Sequence, residues 1–356
     1  MAKNPLERLK KSIGNGAVIM SDDNNPYTYD EFFDTGIPVL NCMFSDGDIY
    51  KGIFLGKRVG IAGPSSTGKS YFTINLMKKF IEKDDHSYVI LFETEGTSVV
   101  DICKDMKIDL AKILIQPCQT VEEFRTNCLH ALDDIKEQRD EAKKNKTVPP
   151  NYMICLDSLG NLPTNKEIKD AREENDKVDM TRAKIIKSVF RIITAPLSLT
   201  KTPLIVVNHS YATLDLYSRQ VSGGGSGYTY AVDQSIILSK AQMKEGENRS
   251  GAIITCSVEK SRFMREGSKF KVYISFKDGI LPFSNMLDFA EEFGIVNKEG
   301  HSFVFKDGAK VKMKEVAKNM GKYFTKEIMD DLQVKIKNKY SFGSEDSLEI
   351  DTEEEE

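Results

Sequence analysis

The run Gly63-Pro64-Ser65-Ser66-Thr67-Gly68-Lys69-Ser70 sets small, turn-forming residues directly before a lysine and a hydroxyl. Residues of these types at this spacing form a P-loop. The glycines let backbone N–H groups turn inward around phosphates, and the helix that follows adds the positive potential of its N-terminus. Lys69 is then placed to reach the β- and γ-phosphates of ATP, and the Ser70 hydroxyl to ligate Mg2+. Such a Mg2+ site needs a carboxylate from a neighbouring buried strand. The apolar run Tyr152-Met153-Ile154-Cys155-Leu156 ends in Asp157, which delivers one to the carboxyl edge of a sheet, where open α/β folds bind ligands. Hydrolysis also needs a group that orients water beside the γ-phosphate. The segment Leu91-Phe92-Glu93-Thr94-Glu95-Gly96 offers two. Glu93 and Glu95 share a face by strand alternation, so spacing leaves the choice between them open.

These groups require a scaffold of alternating strands and helices. Apolar runs at Val59–Ala62, Tyr88–Phe92, Met153–Leu156 and Leu204–Val207 read as buried strands. Between them lie helical stretches, one opening at Thr120 with Glu123 three residues on, a capping box, and one spanning about residues 178–199. This succession predicts an α/β fold with a mainly parallel sheet flanked by helices and right-handed crossovers. Residues 137–150 read as a helix end plus an exposed loop. Further strands are expected at Ser235–Leu238, Ala252–Glu259 and Phe270–Phe276, and a small helical piece from Ser284 to about Tyr340. Near the N-terminus, Leu6, Leu9 and Ile13 recur at helical spacing, with Asn4 as cap and Pro5 as first helical residue. That helix either docks on a neighbouring subunit or packs on its own core. The implied divisions are 1–45 (N-terminal helix and linker), 46–283 (core), 284–342 (small C-terminal domain) and 343–356 (acidic tail).

The bulk composition narrows the class. With 40% hydrophobic and 29% charged residues, the 356-residue chain has an ordinary globular balance and one sizeable core. No apolar run is long enough to span a bilayer, and the first residues lack a secretory signal. Cys42, Cys103, Cys118, Cys128, Cys155 and Cys256 show no paired spacing, which suits reduced thiols in a cytoplasmic protein and argues against a zinc site. The net charge of −4 hides an asymmetry: residues 345–356 hold eight acids and no Lys or Arg, so residues 1–344 carry +4. A mildly basic body with an acidic, self-repelling tail suits a nucleic-acid binder whose tail either solubilises it or competes for its cations.

Several segments together resemble the RecA family of recombinases. They are the P-loop, the Glu at the end of the next strand, Asp157-Ser158-Leu159-Gly160-Asn161-Leu162, and Leu204-Ile205-Val206-Val207-Asn208-His209. Asp179-Met180-Thr181-Arg182-Ala183-Lys184, Gly223-Gly224-Gly225 and Val258-Glu259-Lys260-Ser261-Arg262 are similar to the family's tailed-phage branch. The resemblance covers roughly residues 36–295. It implies a RecA-like P-loop ATPase core with ATP and Mg2+ as cofactors, a short N-terminal interface segment and a small C-terminal helical domain. It implies Glu95 as the residue that activates water, with Lys69, Ser70 and Asp157 as the phosphate and Mg2+ ligands. Lys260 and Arg262 match two cations that reach a neighbouring subunit's ATP, as arginine fingers do. His209 occupies the place of a side chain that contacts the γ-phosphate. Ile102 stands near where bacterial RecA presents an aromatic to adenine, a departure from the family pattern.

Two polar or Gly-rich segments, 160–177 and 210–227, sit where the family places DNA-binding loops. They offer Lys166, Lys169, Arg172, Arg219, Gly223, Gly224 and Gly225 to an unpaired strand, without base specificity. The implied activity is DNA-dependent ATP hydrolysis by helical filaments on single-stranded DNA. These filaments would pair and exchange strands with homologous duplex in phage recombination, repair and recombination-dependent replication. The implied partners are further copies of the chain, a phage single-strand binding protein and a mediator that loads the recombinase. Two rivals share the P-loop: a hexameric helicase, for which no companion domain is evident, and a nucleotide-gated scaffold, disfavoured by retention of Glu95, Lys69 and Asp157.

Overall fold

Strands that are apolar at every position must be covered on both faces, and the runs identified above are used in this way. The computed structural model describes residues 4–14, 17–22, 30–96, 99–173, 181–213, 220–223, 225–245, 248–300, 302–306 and 308–341. Helix α1 (Pro5–Ile13) is followed by β1 (Phe32–Phe33), α2 (Pro38–Phe44) and β2 (Ile53–Phe54), and β2 pairs antiparallel with β1. The α/β succession runs β3 (Arg58–Gly63), α3 (Lys69–Ile81), β4 (Ser87–Glu93), α4 (Val99–Asp105), β5 (Ile113–Pro117) and α5 (Val121–Asn145). It continues with β6 (Asn151–Asp157), α6 (Asn165–Arg172), α7 (Arg182–Leu199) and β7 (Leu204–Ala212). Then come β8 (Gln220–Ser222), α8 (Gly225–Ala231), β9 (Gln234–Glu245), β10 (Asn248–Lys260), β11 (Lys269–Ser275) and β12 (Gly279–Ile280). The C-terminal part holds α9 (Met286–Glu292), β13 (Val296–Glu299), β14 (Ser302–Phe305), β15 (Lys310–Lys312), α10 (Met313–Lys318), α11 (Met320–Tyr323) and α12 (Lys326–Tyr340).

The large sheet has the order β12-β11-β10-β9-β3-β7-β6-β4-β5, with β8 attached to β7. From β9 through β5 neighbouring strands are parallel; β10, β11 and β12 extend the sheet antiparallel. The α/β architecture with a mainly parallel sheet is therefore the one the sequence predicts. Alternation sorts the strand residues between two layers. Val89, Leu91, Met153, Cys155 and Ile205 face the layer that holds α2, α3 and α9. Ile90, Phe92, Ile154, Leu156, Leu204 and Val206 face α5, α7 and α8. Each of these side chains is nearly or fully buried, a contribution of roughly 1.5–3 kcal/mol apiece.

Local signals account for the helix starts. Thr120 accepts from the Glu123 N–H at 3.1 Å, and the Glu123 carboxylate accepts from the Gln119 N–H at 2.9 Å. The helix they start runs to Asn145, beyond the end expected from residue 137, and Lys146 closes it in a left-handed conformation. Asn4 caps α1 by accepting the Leu6 N–H at 3.1 Å. That helix buries none of its side chains: Leu6, Leu9 and Ile13 are 50%, 53% and 74% exposed, so packing on its own core is not observed.

Three features differ from expectation. The C-terminal piece is not simply helical, because β13, β14 and β15 form an antiparallel sheet beside its helices. Its Phe303, Phe305, Val311, Leu332 and Ile336 join the same apolar cluster as Phe33, Ile49 and Met264 of the core. Helix α12 is also tied to residues 46–50, with Gln333 bonded to the Ile49 N–H and the Gly47 carbonyl. β9 and β10 run well past their apolar halves as an exposed hairpin, where Lys240, Gln242 and Lys244 give no hydrophobic signal. The edge strand β5 was not anticipated, since its Leu114 and Ile115 stay exposed. Among the described residues no helix is long and apolar enough to cross a membrane. The acidic tail lies outside the described residues.

Candidate nucleotide-binding site

β3 delivers its last residue, Gly63, to the carboxyl edge of the sheet, and the chain turns there into α3. The turn needs left-handed backbone: Ser66 has φ 61° and Gly68 φ 91°, the latter directly before Lys69 opens the helix. Thr67 Oγ1 braces the loop by donating to the Pro64 carbonyl at 2.8 Å. Lys69 Nζ donates to the Gly63 and Pro64 carbonyls, both at 2.9 Å, so the ammonium already points into the concavity of the loop. Burial pulls the Lys69 pKa down, against the opposing charges of Asp157 and Glu95. On the outer side of the loop, Lys240 donates to the Ser66 carbonyl at 2.7 Å.

Asp157 ends β6 two strands away, because β6 lies between β7 and β4. It is 8% exposed, and burial raises its pKa to about 6, although a hydrogen bond with Ser70 and the charge of Lys69 oppose that rise. Its Oδ1 is buried without a hydrogen-bond partner. A buried carboxylate oxygen left unsatisfied beside a serine hydroxyl at a helix N-terminus is the donor set that a hydrated Mg2+ on a phosphate chain would complete. The residues present therefore fit Mg2+ and ATP.

The structure separates the two glutamates that spacing left equal. Glu93 folds onto its own turn, with its two carboxylate oxygens accepting the N–H groups of Glu95 and Gly96, both at 2.9 Å. Glu95 projects instead toward the residues after Asp157, where Oε1 accepts from Ser158 Oγ at 3.1 Å and Asn161 Nδ2 at 2.8 Å. Asn161 Oδ1 lies 3.3 Å from His209 Nε2. His209 is in register with Gly63 on the adjacent strand, so Glu95, Asn161 and His209 form a polar chain along one side of the P-loop. Gly160 makes room for it: a Cβ there would come within 2.4 Å of His209 Cδ2. Arg182 fixes this turn by donating to the carbonyls of Leu159, Gly160 and Leu162. The sequence assigns Asn161 and Arg182 no role: Asn161 is a polar residue after an apolar strand and Arg182 the first residue of a helix, and turn geometry decides what each reaches. Ile102 is half-buried against the core.

Lys260 and Arg262 are not brought to this site. β10 runs antiparallel to β9, so Lys260 pairs with Ser235, which is itself in register with Gly60 near the start of β3. Lys260 Nζ donates to the carbonyls of Thr229 and Val232, each at 2.7 Å. Arg262 lies 3.5 Å from Asp233 and keeps 58% of its side chain exposed. Asp233 also takes a two-pronged contact from Arg58, the first residue of β3. The run of β3 from Arg58 to Gly63 spans about 17 Å at the usual rise, so these cations sit at the opposite edge from Lys69.

The candidate DNA contacts divide among several elements. The expected irregular segment 160–177 contains a 3-10 turn at Leu159–Asn161 and the helix α6, started by a full capping box between Thr164 and Glu167. Lys166, Lys169 and Arg172 are exposed on α6, and Lys169 and Arg172 line a polar cleft of about 730 Å3 between that helix and the first turns of α5. The second segment is likewise ordered in part: β7 continues to Ala212, β8 pairs back on it and α8 begins at Gly225. Gly223 lies beside His209, donating its N–H to that residue's carbonyl at 2.7 Å. Arg219 and Gly224 lie outside the described residues.

No family model matches the chain. Over 264 residues it is 35% identical to the "Recombination and repair protein" of Enterobacteria phage T4, a match covering 74% of this chain and 64% of that protein. It thus spans slightly less than two thirds of that relative's length. "Protein RecA" of Mesomycoplasma hyopneumoniae is 24% identical over 344 residues, 95% of either chain. "Protein RecA" of a Sulfurovum species is 23% identical over 362 residues, 98% of this chain and 94% of that one.

Proposed function

This chain belongs to the RecA family, and from that premise we propose that it hydrolyses ATP as a head-to-tail filament on single-stranded DNA and exchanges strands with homologous duplex. The observation that carries the reading is the separation of the two halves of one catalytic arrangement. Lys69, Ser70, Asp157 and Glu95 stand at the carboxyl edge of the sheet, Lys260 and Arg262 at the amino edge. Cations on the far edge can complete only another copy's site, and a contact between different edges of identical chains propagates head to tail, as an open helix wherever its rotation does not close into a ring.

Within a site, Mg2+ and ATP would supply the phosphoryl group and the charge that activates it. Lys69 and the loop amides would hold the phosphates, and Ser70 with Asp157 would hold the metal's oxygen shell. Glu95, oriented by Ser158 and Asn161, would take the proton of the attacking water. Lys260 and Arg262 of the adjoining copy would stabilise charge on the transferring group. ATP would then be part of the contact between copies, favouring assembly before hydrolysis and release after it.

Surfaces that suit assembly are present. The exposed apolar stripe of α1 and the exposed Leu114 and Ile115 of the edge strand β5 are unlike surfaces on one chain, as a head-to-tail contact requires. Single-stranded DNA would meet Lys166, Lys169, Arg172 and Arg219, with Gly223, Gly224 and Gly225 giving close backbone approach. The same reading assigns the chain to the host cytoplasm and to phage recombination, repair and replication. A single-strand binding protein and a loading mediator would be its partners.

Mixing two inactive variants tests the reading. Lys69→Ala removes a chain's own nucleotide site, and Lys260→Ala/Arg262→Ala removes what it lends to the next copy. Each alone should lose DNA-stimulated ATP hydrolysis, while an equimolar mixture regains about a quarter of wild-type turnover, the share of contacts that join an intact site to intact cations. A mixture as inactive as its components sinks the proposal. Closed rings that unwind a fork would favour the helicase.

A further inference from the structure

The segment that leads into the glycine run is gripped from two sides at adjacent residues. On one side is β7, which carries His209. The Gly223 N–H donates to the His209 carbonyl at 2.7 Å, and Asn208 Nδ2 donates to the Gly223 carbonyl at 2.7 Å. On the other side is Glu259 of β10, the residue directly before Lys260. Its Oε1 accepts the Ser222 N–H at 3.0 Å, and its Oε2 accepts Ser222 Oγ at 2.6 Å and Ser235 Oγ at 2.8 Å. Both serines are buried, and a carboxylate taking three donors makes the short, charge-assisted kind of hydrogen bond.

The helix that follows the glycine run is held by the same strand. Lys260 Nζ donates to the carbonyls of Thr229 and Val232, at the end of α8, where a cation caps exposed helix carbonyls. Two of the ammonium's three N–H groups are used in this way, so swinging it out to a neighbour's phosphate takes it off these carbonyls. The seat of α8 is also incompletely satisfied. The Tyr228 hydroxyl is buried near the backbone of Gly60 with no partner, and so is Gln234 Nε2 just after the helix.

We propose that Glu259 is a positioning residue that couples the glycine-run segment to the nucleotide of the neighbouring copy. The inference rests on the proposed role of Lys260 in completing that copy's site. When Lys260 leaves the α8 carbonyls for a phosphate, α8 loses its cap while Glu259 keeps Ser222 fixed to the moving end of β10. The chain's own nucleotide acts on the next residue, Gly223, through His209 and Asn208. One two-residue element therefore receives both nucleotides, which gives the coupling a physical carrier whose state both sites bias.

The test reads coupling rather than activity. Affinity for a fluorescein-labelled oligothymidylate is measured by anisotropy on the full chain, with a slowly hydrolysed ATP analogue and with ADP. Wild type should show a ratio in the usual range of about 5–150-fold. Glu259→Gln, whose single amide oxygen cannot take all three donors, should bring the ratio within about twofold of unity, leaving affinity in ADP unchanged. Ser222→Ala should lower it part of the way, and the double variant should go no further than Glu259→Gln alone, because both act on one linkage. An undiminished ratio in Glu259→Gln overturns the proposal, as does a parallel loss of affinity with both nucleotides. Should Glu259→Gln not fold, Ser222→Ala decides the matter, and unchanged coupling there overturns it. A wild-type chain whose DNA affinity ignores nucleotide would instead overturn the function on which the inference rests.

Discussion

The two edges of the parallel sheet answer the same problem, placing charge at the end of a buried strand, in opposite ways. At the amino edge the charges are matched within the chain. Arg58 meets Asp233 through three contacts of 2.8–3.0 Å, and Lys260 is spent on two carbonyls. Burial alone would raise the Asp233 carboxyl, yet hydrogen bonds and charge from Arg58 hold it below its usual value. At the carboxyl edge one charge is left short of partners: Asp157 Oδ1 has none, and burial carries its pKa up to about 6. Within one chain the charges of the first edge are matched on folding, although Tyr228 Oη and Gln234 Nε2 near it are not satisfied, whereas Asp157 at the second edge waits for a ligand. Stability should therefore depend most on the Arg58–Asp233 pair, and the chain's own chemistry on the carboxyl edge.

The largest effect should fall on rate. Glu95→Gln keeps the bonds to Ser158 and Asn161 in shape but cannot take a proton, so turnover should drop by about 10²–10⁴-fold while ATP-dependent filaments persist in electron micrographs. Normal turnover in that variant would erase the functional side of the contrast. At the amino edge, Asp233→Ala strands a buried guanidinium and should destabilise the chain by about 3–5 kcal/mol in urea unfolding. A loss below about 1 kcal/mol would mean that this edge is no better satisfied than the other.

Asp157→Asn should move stability the opposite way. A carboxyl whose folded pKa stands near 6, against 3.8 in the unfolded chain, gives its full stabilising contribution below 3.8 and loses it as pH rises through 6. Above pH 6 the nucleotide-free wild type should thus be less stable than Asp157→Asn by about 3 kcal/mol, the two converging toward pH 4. Mg-ATP should favour the ionised carboxylate. Its binding should then release protons below pH 6, which calorimetry in buffers of different ionisation enthalpy detects.

What the sequence discloses follows the same division. Gly63–Ser70 and Asp157 are legible because each is local: a turn or a single residue at the end of an apolar strand, whose edge is set by strand direction, whereas His209, inside β7, draws its expected role from the family resemblance alone. The position of Lys260 and Arg262 is a matter of topology. Nothing in their neighbourhood reveals that β10 reverses direction and carries them to the far edge. Asn161 and Arg182 depend on the shape of one turn, and Glu259 on a contact with a residue 37 positions earlier. The C-terminal sheet escapes a search for apolar runs because β13 and β15, Val-Asn-Lys-Glu and Lys-Val-Lys, bury a single side chain each. Asp307-Gly308 between two alternating stretches is a hairpin signal that was available.

The smallest predicted effect is also the one that separates neighbours. Glu93 and Glu95 stand two residues apart on one strand end, yet Glu93 is bonded to the N–H groups of its own turn and Glu95 to side chains across the cleft. Glu93→Gln retains an amide oxygen for one of those N–H groups and gives up the other bond at a half-exposed position, so it should cost about 0.5–1.5 kcal/mol in stability. Its turnover should stay within about tenfold of wild type, since the bond it weakens lies behind the residue that faces water. If Glu93→Gln instead matched Glu95→Gln in its loss of rate, the two carboxylates would have to act as a unit. The turn would then be part of the chemistry rather than its support.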